Sequence, residues 1–374
     1  MRYLQALVEK DLAKKMVFIG GPRQCGKTTL AKSILEKLKS GRYFNWDDDL
    51  DRRDILKRQW QDSDQLLIFD ELHKYPKWKN WIKGIYDKQH DTHQMIVTGS
   101  ARLDIYRRGG DSMFGRYHYW RLHPFTLSEL PAGIKPAQAF TRLMTQGGFP
   151  EPFFMDDPAD VRRWRKERYS LILKDDVRDL ESVKNIQMLG LLVDLLKQRV
   201  GSFCVASNLA EDLGVAPFTI QSWLQVLERL YFIFIVKPYT TNIARAIQKP
   251  PKIYFYDNGD VDDPDGARFE NLVATHLLKR IHYLEDRDGY SYELCYIRDK
   301  EKREVDFVIV KDKKVIELYE AKYSDDKVSS HLRYYTERLN PIKSVQIVAN
   351  LKRSYTAGKI QVLSPLEALS PLEE

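Results

Sequence analysis

The first residues here that suggest chemistry are Gly21-Pro22-Arg23-Gln24-Cys25-Gly26-Lys27-Thr28, with Thr29 following. Two glycines bracket four residues and Lys-Thr closes the run, which is the Walker A spacing. Glycines let backbone N–H groups wrap phosphates, and a helix N-terminus adds the positive end of its dipole. Lys27 has the reach for β- and γ-phosphates, and the Thr28 hydroxyl is placed to ligate Mg²⁺. Gly21 through Thr29 are therefore the candidate contacts to ATP. The apolar run Met16-Val17-Phe18-Ile19 predicts a strand before the loop, and Leu30, Ile34, Leu35 and Leu38 predict an amphipathic helix after it. Cys25 lies within the loop, where alkylation would block the site.

The complementary carboxylates follow in Gln65-Leu66-Leu67-Ile68-Phe69-Asp70-Glu71, an uninterrupted apolar run of the kind buried in a parallel sheet. Asp70 is the candidate holder of Mg²⁺, and Glu71 the candidate base that polarises the attacking water. A third strand, Gln94 to Val97, leads into Thr98-Gly99-Ser100, where Ser100 or Thr98 could sense the γ-phosphate or cap the next helix. Arg102, Arg107, Arg108, Arg116 and Arg121 cluster beyond it. Arg116, after the turn-forming Gly115, is the candidate that projects toward a neighbouring subunit's nucleotide, with a solvated or DNA-facing arginine as the alternative. That role would require a homo-oligomer.

Strand and helix alternate along the chain to about Leu130, the signature of a parallel α/β sheet. Residues 1–130 read as the nucleotide-binding domain and 131–185 as a helical connector rich in Pro and Gly. In the connector, Arg162, Arg163, Arg165, Lys166 and Arg168 surround Trp164 and predict a solvated helix face or a contact with DNA or an acidic partner. Residues 186–245 read as a winged helix: helices over Val205–Leu213 and Pro217–Leu230, a turn at Gly214-Val215, and a wing from Tyr231 to Val236. Gln221, Ser222 and Gln225 would face a DNA groove, yet few cations accompany them, so packing between domains is the equal alternative.

With 60 Lys and Arg against 53 Asp and Glu, the net charge is +7, a diffuse excess that favours an anionic partner such as DNA. Cys25, Cys204 and Cys295 form no CxxC pair or disulfide framework, which points to a reducing compartment. No signal peptide and no apolar run of membrane-spanning length is visible, so a cytoplasmic protein without a membrane partner is expected.

Residues 246–374 carry a second constellation. A helix beginning near Glu270 precedes the strand Arg303–Val310, a turn over Lys311-Asp312-Lys313-Lys314, and the strand Val315–Lys322. Alternation puts Glu320 and Lys322 on one face, and Asp306 can join them across the hairpin. Two carboxylates can hold a divalent metal, and a neighbouring lysine can orient or deprotonate water. This Asp…Glu-x-Lys order resembles the PD-(D/E)xK nuclease superfamily, with Glu270 in the place of its helical glutamate.

Taken together the chain resembles prokaryotic AAA+-like ATPases joined to a C-terminal domain of unknown function with a nuclease-like fold. The resemblance rests on the loop itself, Phe69-Asp70-Glu71-Leu72-His73, Thr98-Gly99-Ser100-Ala101 and Phe114-Gly115-Arg116. Later marks are Leu173-Lys174-Asp175-Asp176-Val177, the run from Lys252 to Gly259, Glu270-Asn271-Leu272-Val273, Glu304-Val305-Asp306-Phe307 and Glu320-Ala321-Lys322. It implies an α/β fold: a P-loop parallel sheet, a winged-helix middle and a restriction-endonuclease-like end. It also implies ATP binding; Mg²⁺ is expected from Thr28 and Asp70, and a second divalent metal at the nuclease-like site of Glu270, Asp306 and Glu320, with Lys322 beside it to act on water. The leading expectation is an ATPase that drives or gates a conformational change on nucleic acid. The alternatives are an ATP-regulated metal-dependent DNA nuclease and a nucleotide-gated, non-enzymatic regulator.

Overall fold

Five short strands in the first part of the chain form one sheet: β1 (Met16–Gly20), β2 (Gly41–Asn45), β3 (Leu66–Asp70), β4 (Gln94–Thr98) and β5 (Tyr117–Arg121). Their order is β2-β3-β4-β1-β5, and every neighbouring pair is parallel. β1 and β3 are buried along their whole length, which is why their sequences are continuous apolar runs rather than alternating ones. The helices α1 (Gln5–Leu12), α2 (Lys27–Leu38), α3 (Asp49–Lys57) and α4 (Trp78–Gln89) complete this unit. Met16, Phe18, Leu67, Phe69, Met95 and Val97 share a core with Trp78, Ile82 and Ile85 of α4. Because the strands are parallel, their carboxyl ends lie along one edge: Asp70 pairs with Thr98, and Thr98 with Ile19. That edge assembles the phosphate loop and Asp70.

This computed structural model describes residues 2–99, 113–176, 185–240, 249–262 and 265–372. The chain divides into two compact units, Met1–Pro124 and Phe125–Glu374. Ser100, Arg102, Arg107 and Arg108 lie outside the described residues.

The second unit begins with α5 (Pro136–Thr145), α6 (Pro150–Phe154) and α7 (Pro158–Leu171), each opening on a proline, which the first helical turn tolerates. Of the basic run on α7, Arg162, Arg163 and Lys166 are exposed. Arg168 instead turns inward and is buried against Asp260, 3.1 Å away. Three helices follow, α8 (Ile186–Lys197), α9 (Ala206–Leu213) and α10 (Pro217–Arg229), then β6 (Ile233–Pro238) and β7 (Lys252–Phe255). Gln221, Ser222 and Gln225 are exposed on α10. The run Tyr231–Val236, read from sequence as a wing, supplies β6, which is built into a larger sheet: it pairs with β7 antiparallel and with β8 (Tyr292–Arg298) in parallel.

That sheet has eight strands in the order β12-β13-β11-β10-β9-β8-β6-β7. Its other members are β9 (Glu304–Lys311), β10 (Lys314–Lys322), β11 (Lys343–Val348), β12 (Tyr355–Ala357) and β13 (Ile360–Leu363). It therefore crosses the boundary expected at 245 without a break. The helix expected to begin near Glu270 begins at Gly266 and continues to Asp288, here α11. α12 (Ser330–Leu339) packs Leu332 and Tyr335 onto Val305, Val308, Val310 and Leu318.

Candidate functional site

The phosphate loop connects β1 to α2. Gly21 has φ 142, and a Cβ there would collide with the Leu122 carbonyl, so no other residue fits the close approach to β5. Gly26, at φ 96, is the N-cap of α2 and carries no side chain to occupy the helix's first N–H groups. Those donors and the positive end of the helix dipole are the anion-binding half of the site. Lys27 is buried, and its ammonium donates to the carbonyls of Gly21 and Pro22 at 3.0 and 2.8 Å. Cys25 is fully buried, with Sγ on the Leu122 carbonyl at 3.4 Å. Burial takes the thiol out of reach of the alkylation its position in the loop suggested.

The carboxylate half is tied to the loop directly. Thr28 Oγ1 donates to Asp70 Oδ2 at 2.7 Å. Tyr43 Oη donates to the same oxygen at 2.8 Å, and the Thr98 hydroxyl donates to Oδ1. Asp70 is thereby held from α2, β2 and β4 at once. Burial, with the Asp70 charge beside it, pushes the Tyr43 phenol well above its usual range, so it remains a donor. Glu71 follows in the left-handed region at φ 54, its N–H donating to the Thr98 carbonyl at 3.0 Å. Its carboxylate lies 3.5 Å from His73 Nε2 and 4.0 Å from Lys74 Nζ. Burial holds its pKa above the usual carboxylate value, against the lowering effect of Lys27. A helix terminus open to anions, a buried ammonium and a hydroxyl already bonded to a carboxylate fit a magnesium nucleotide.

Arg116 does not join this set. Tyr117 pairs with Met16 at the amino end of the sheet, opposite the edge that carries the loop. The Arg116 guanidinium makes a bidentate pair with Asp87 of α4, at 2.6 and 3.1 Å. Tyr43 was not among the expected site residues; a tyrosine in a short strand gives no local signal, and its role comes from the β2–β3 pairing.

The second constellation does converge. The β9–β10 register ends at Phe307–Tyr319, so Asp306 reaches β10, where its Oδ2 accepts from Ala321 N–H at 2.9 Å. Lys322 Nζ lies 2.9 Å from Glu320 Oε1. Glu270, on α11, accepts from Tyr254 Oη at 2.6 Å. Gly201, at φ 71, leaves room for it, since a Cβ there would lie 2.8 Å from Glu270 Oε1. The sequence reading did not anticipate Lys252 of β7. Its buried ammonium lies 2.7 Å from Glu304, 3.4 Å from Glu270 and 3.7 Å from Asp306. Burial and the Asp306 charge push Glu270 up to about 7 and Glu320 up to about 8.

Residues 13–131 match the family described as an AAA domain. With the strand order, the loop and Asp70, this makes the first unit a domain of the P-loop ATPase class. Residues 137–261 and 265–369 match two further families, each a domain of unknown function. An uncharacterized protein of Mycobacterium tuberculosis is 24% identical over 246 residues, 65% of this chain and 54% of that protein. The chain thus spans about half the length of that relative, 54%. An uncharacterized protein of Methanocaldococcus jannaschii is 22% identical over 370 residues, 89% of this chain and 81% of its own length. Among solved structures, a Walker-type ATPase of Pyrococcus abyssi is 13% identical with a TM-score of 0.44, over 69% of this chain and 93% of that one. Among the described residues, no helix is long and apolar enough to cross a membrane.

Proposed function

We propose that this chain is a Mg²⁺-dependent ATPase that uses hydrolysis to drive or gate a conformational change, with nucleic acid as the polymer it acts on. The observation that carries the ATPase reading is the Thr28–Asp70 hydrogen bond of 2.7 Å, which joins the phosphate loop to the acidic strand. A bound magnesium nucleotide would supply the scissile anhydride and the charge-neutralising cation. Lys27 and the first N–H groups of α2 would bind and orient the phosphates. Thr28 and Asp70 would hold the metal, with Tyr43 and Thr98 fixing the carboxylate. Glu71 would accept the proton of the attacking water, and burial, by raising its pKa, makes it a stronger base than a free carboxylate. Thr98 or Ser100 would sense the γ-phosphate, and for Thr98 the support is its hydroxyl's hydrogen bond to Asp70. A trans role for Arg116 remains part of the proposal, and it requires the Asp87 pair to open.

The nucleic-acid part is supported by the net charge of +7 and by exposed Arg162, Arg163 and Lys166 on α7. Glu71→Gln tests the chemistry: ATP should still bind while turnover falls by at least about a hundredfold, the scale of general-base catalysis. Turnover retained in that variant would remove Glu71 from the mechanism.

The second divalent metal suggested by the nuclease resemblance does not fit the residues present. Among the described residues, no group of three His, Cys, Asp or Glu side chains is placed to hold a metal ion. The carboxylates that would ligate it are already committed to lysines, a tyrosine and a backbone N–H. No nuclease step is derived from them.

A further inference from the structure

The cluster around Asp306 contains four carboxylates, Glu270, Glu304, Asp306 and Glu320, on three separate segments of the second unit. Four carboxyl groups brought this close need protons or a counter-charge, and buried ones need them most. In many acidic clusters that counter-charge is a divalent ion with six to eight oxygen ligands. Here it comes from side chains. Lys252 is 3% exposed and places its ammonium 2.7 Å from Glu304 Oε1, 3.4 Å from Glu270 Oε1 and 3.7 Å from Asp306 Oδ1. Arg298 takes the other oxygen of Glu304 at 3.4 Å, and Lys322 takes Glu320 Oε1 at 2.9 Å. Ala321 N–H holds Asp306 Oδ2 at 2.9 Å. Of these four carboxylates, Glu320 Oε2 is the buried oxygen left without a hydrogen-bond partner. One such oxygen falls far short of a coordination sphere.

We propose that Lys252 is the resident cation of this cluster, and that the second unit holds its carboxylates together with an ammonium in place of a divalent metal. Four carboxylates face three cations, Lys252, Arg298 and Lys322, so charge is nearly balanced without an ion. A lysine also suits the task chemically: three N–H donors on one compact charge can address three acceptors from different strands. Its place at the start of β7, on the strand beside β6, lets it tie the β6–β7 hairpin to β9 and α11. The inference is independent of the ATPase reading, since all these residues belong to the second unit.

The test is Mn²⁺ binding to the full chain without nucleotide, followed by calorimetry and by the electron spin resonance of the ion. Binding at the cluster is the part that Asp306→Asn removes. The wild type should show no such part, and its melting temperature should be the same in EDTA and in Mn²⁺. Lys252→Met should gain Asp306-dependent binding at least about tenfold tighter than wild type, as expected when a competing charge leaves a carboxylate site. Lys252→Arg, which keeps the charge, should remain without it. Should Lys252→Met not fold in EDTA, Mn²⁺ should restore its folded state. Asp306-dependent Mn²⁺ binding by the wild type would overturn the proposal, as would a Lys252→Met chain that Mn²⁺ neither binds nor restores.

Discussion

Asp70 accepts from three hydroxyls, Thr28, Tyr43 and Thr98, and this sets what single substitutions should do. A hydrogen bond to a charged group contributes roughly 1.5–3 kcal/mol, so Tyr43→Phe should lower turnover by about tenfold or more and raise the Mg²⁺ concentration needed for half-maximal rate. A Mg²⁺ titration of both proteins measures this; a turnover drop with unchanged Mg²⁺ dependence would make Tyr43 merely structural. At the other cluster, Glu320 is pushed from 4.5 up to about 8 and Glu270 from 4.5 up to about 7. A carboxyl with a raised folded pKa holds its proton more tightly when folded, so its contribution to stability is lost as pH rises through that value. Buried His276, lowered from 6.5 to about 3, acts in the opposite sense below 6.5 and is neutral in both states above it. Between pH 6.5 and about 8 the melting temperature of the second unit should therefore fall, and Glu320→Gln should flatten the slope. A slope unchanged in that variant would contradict the assignment. At this scale the spacing of the β1–loop–α2 unit pointed to Lys27 and Thr28, and the end of the apolar β3 run to Asp70 and Glu71; the structure joins the two through the Thr28–Asp70 hydrogen bond. It hid Tyr43 and Lys252, because their partners are set by which strands become neighbours.

Elements were legible where a local rule decides them. The buried runs of β1 and β3 and the proline-led helices α7 and α10 follow from composition and from Pro at the first helical position. The β9–β10 hairpin turns at Asp312 and Lys313, both left-handed at φ 46 and φ 67, as a two-residue turn with the right twist demands. A lysine there bears the left-handed cost that glycine avoids, so Lys313→Gly should stabilise the second unit by about 1 kcal/mol in chemical denaturation. A destabilised variant would contradict that reading of the turn. What was not legible is where an element ends up. Tyr231–Val236 has the sequence of a wing, yet β6 continues the eight-stranded sheet through Lys237 and Pro238, paired with Cys295 and Tyr296. Arg168 likewise belongs to a basic helical run and is nevertheless buried on Asp260, because α7 turns that one position inward.

At the scale of the whole molecule, the alternation of strands and helices pointed to the parallel sheet of the first unit, since such a sheet needs a crossover between each pair of strands. The second unit was harder to delimit, since its sheet recruits strands from either side of the boundary expected at 245. The net charge of +7 belongs to this scale too: added DNA should stimulate hydrolysis, and the stimulation should weaken steeply between low and physiological salt. Stimulation insensitive to salt, or none, would direct the partner away from nucleic acid. The central claim is hydrolysis at the β1–α2 loop, and its most direct measurement is steady-state ATP turnover with Mg²⁺ by the wild type and by Lys27→Ala. The account predicts turnover by the wild type and its loss in the variant. Equal turnover in both, or a wild type that binds ATP without hydrolysing it, would contradict that claim, and the second result would make the chain a nucleotide-gated binding protein.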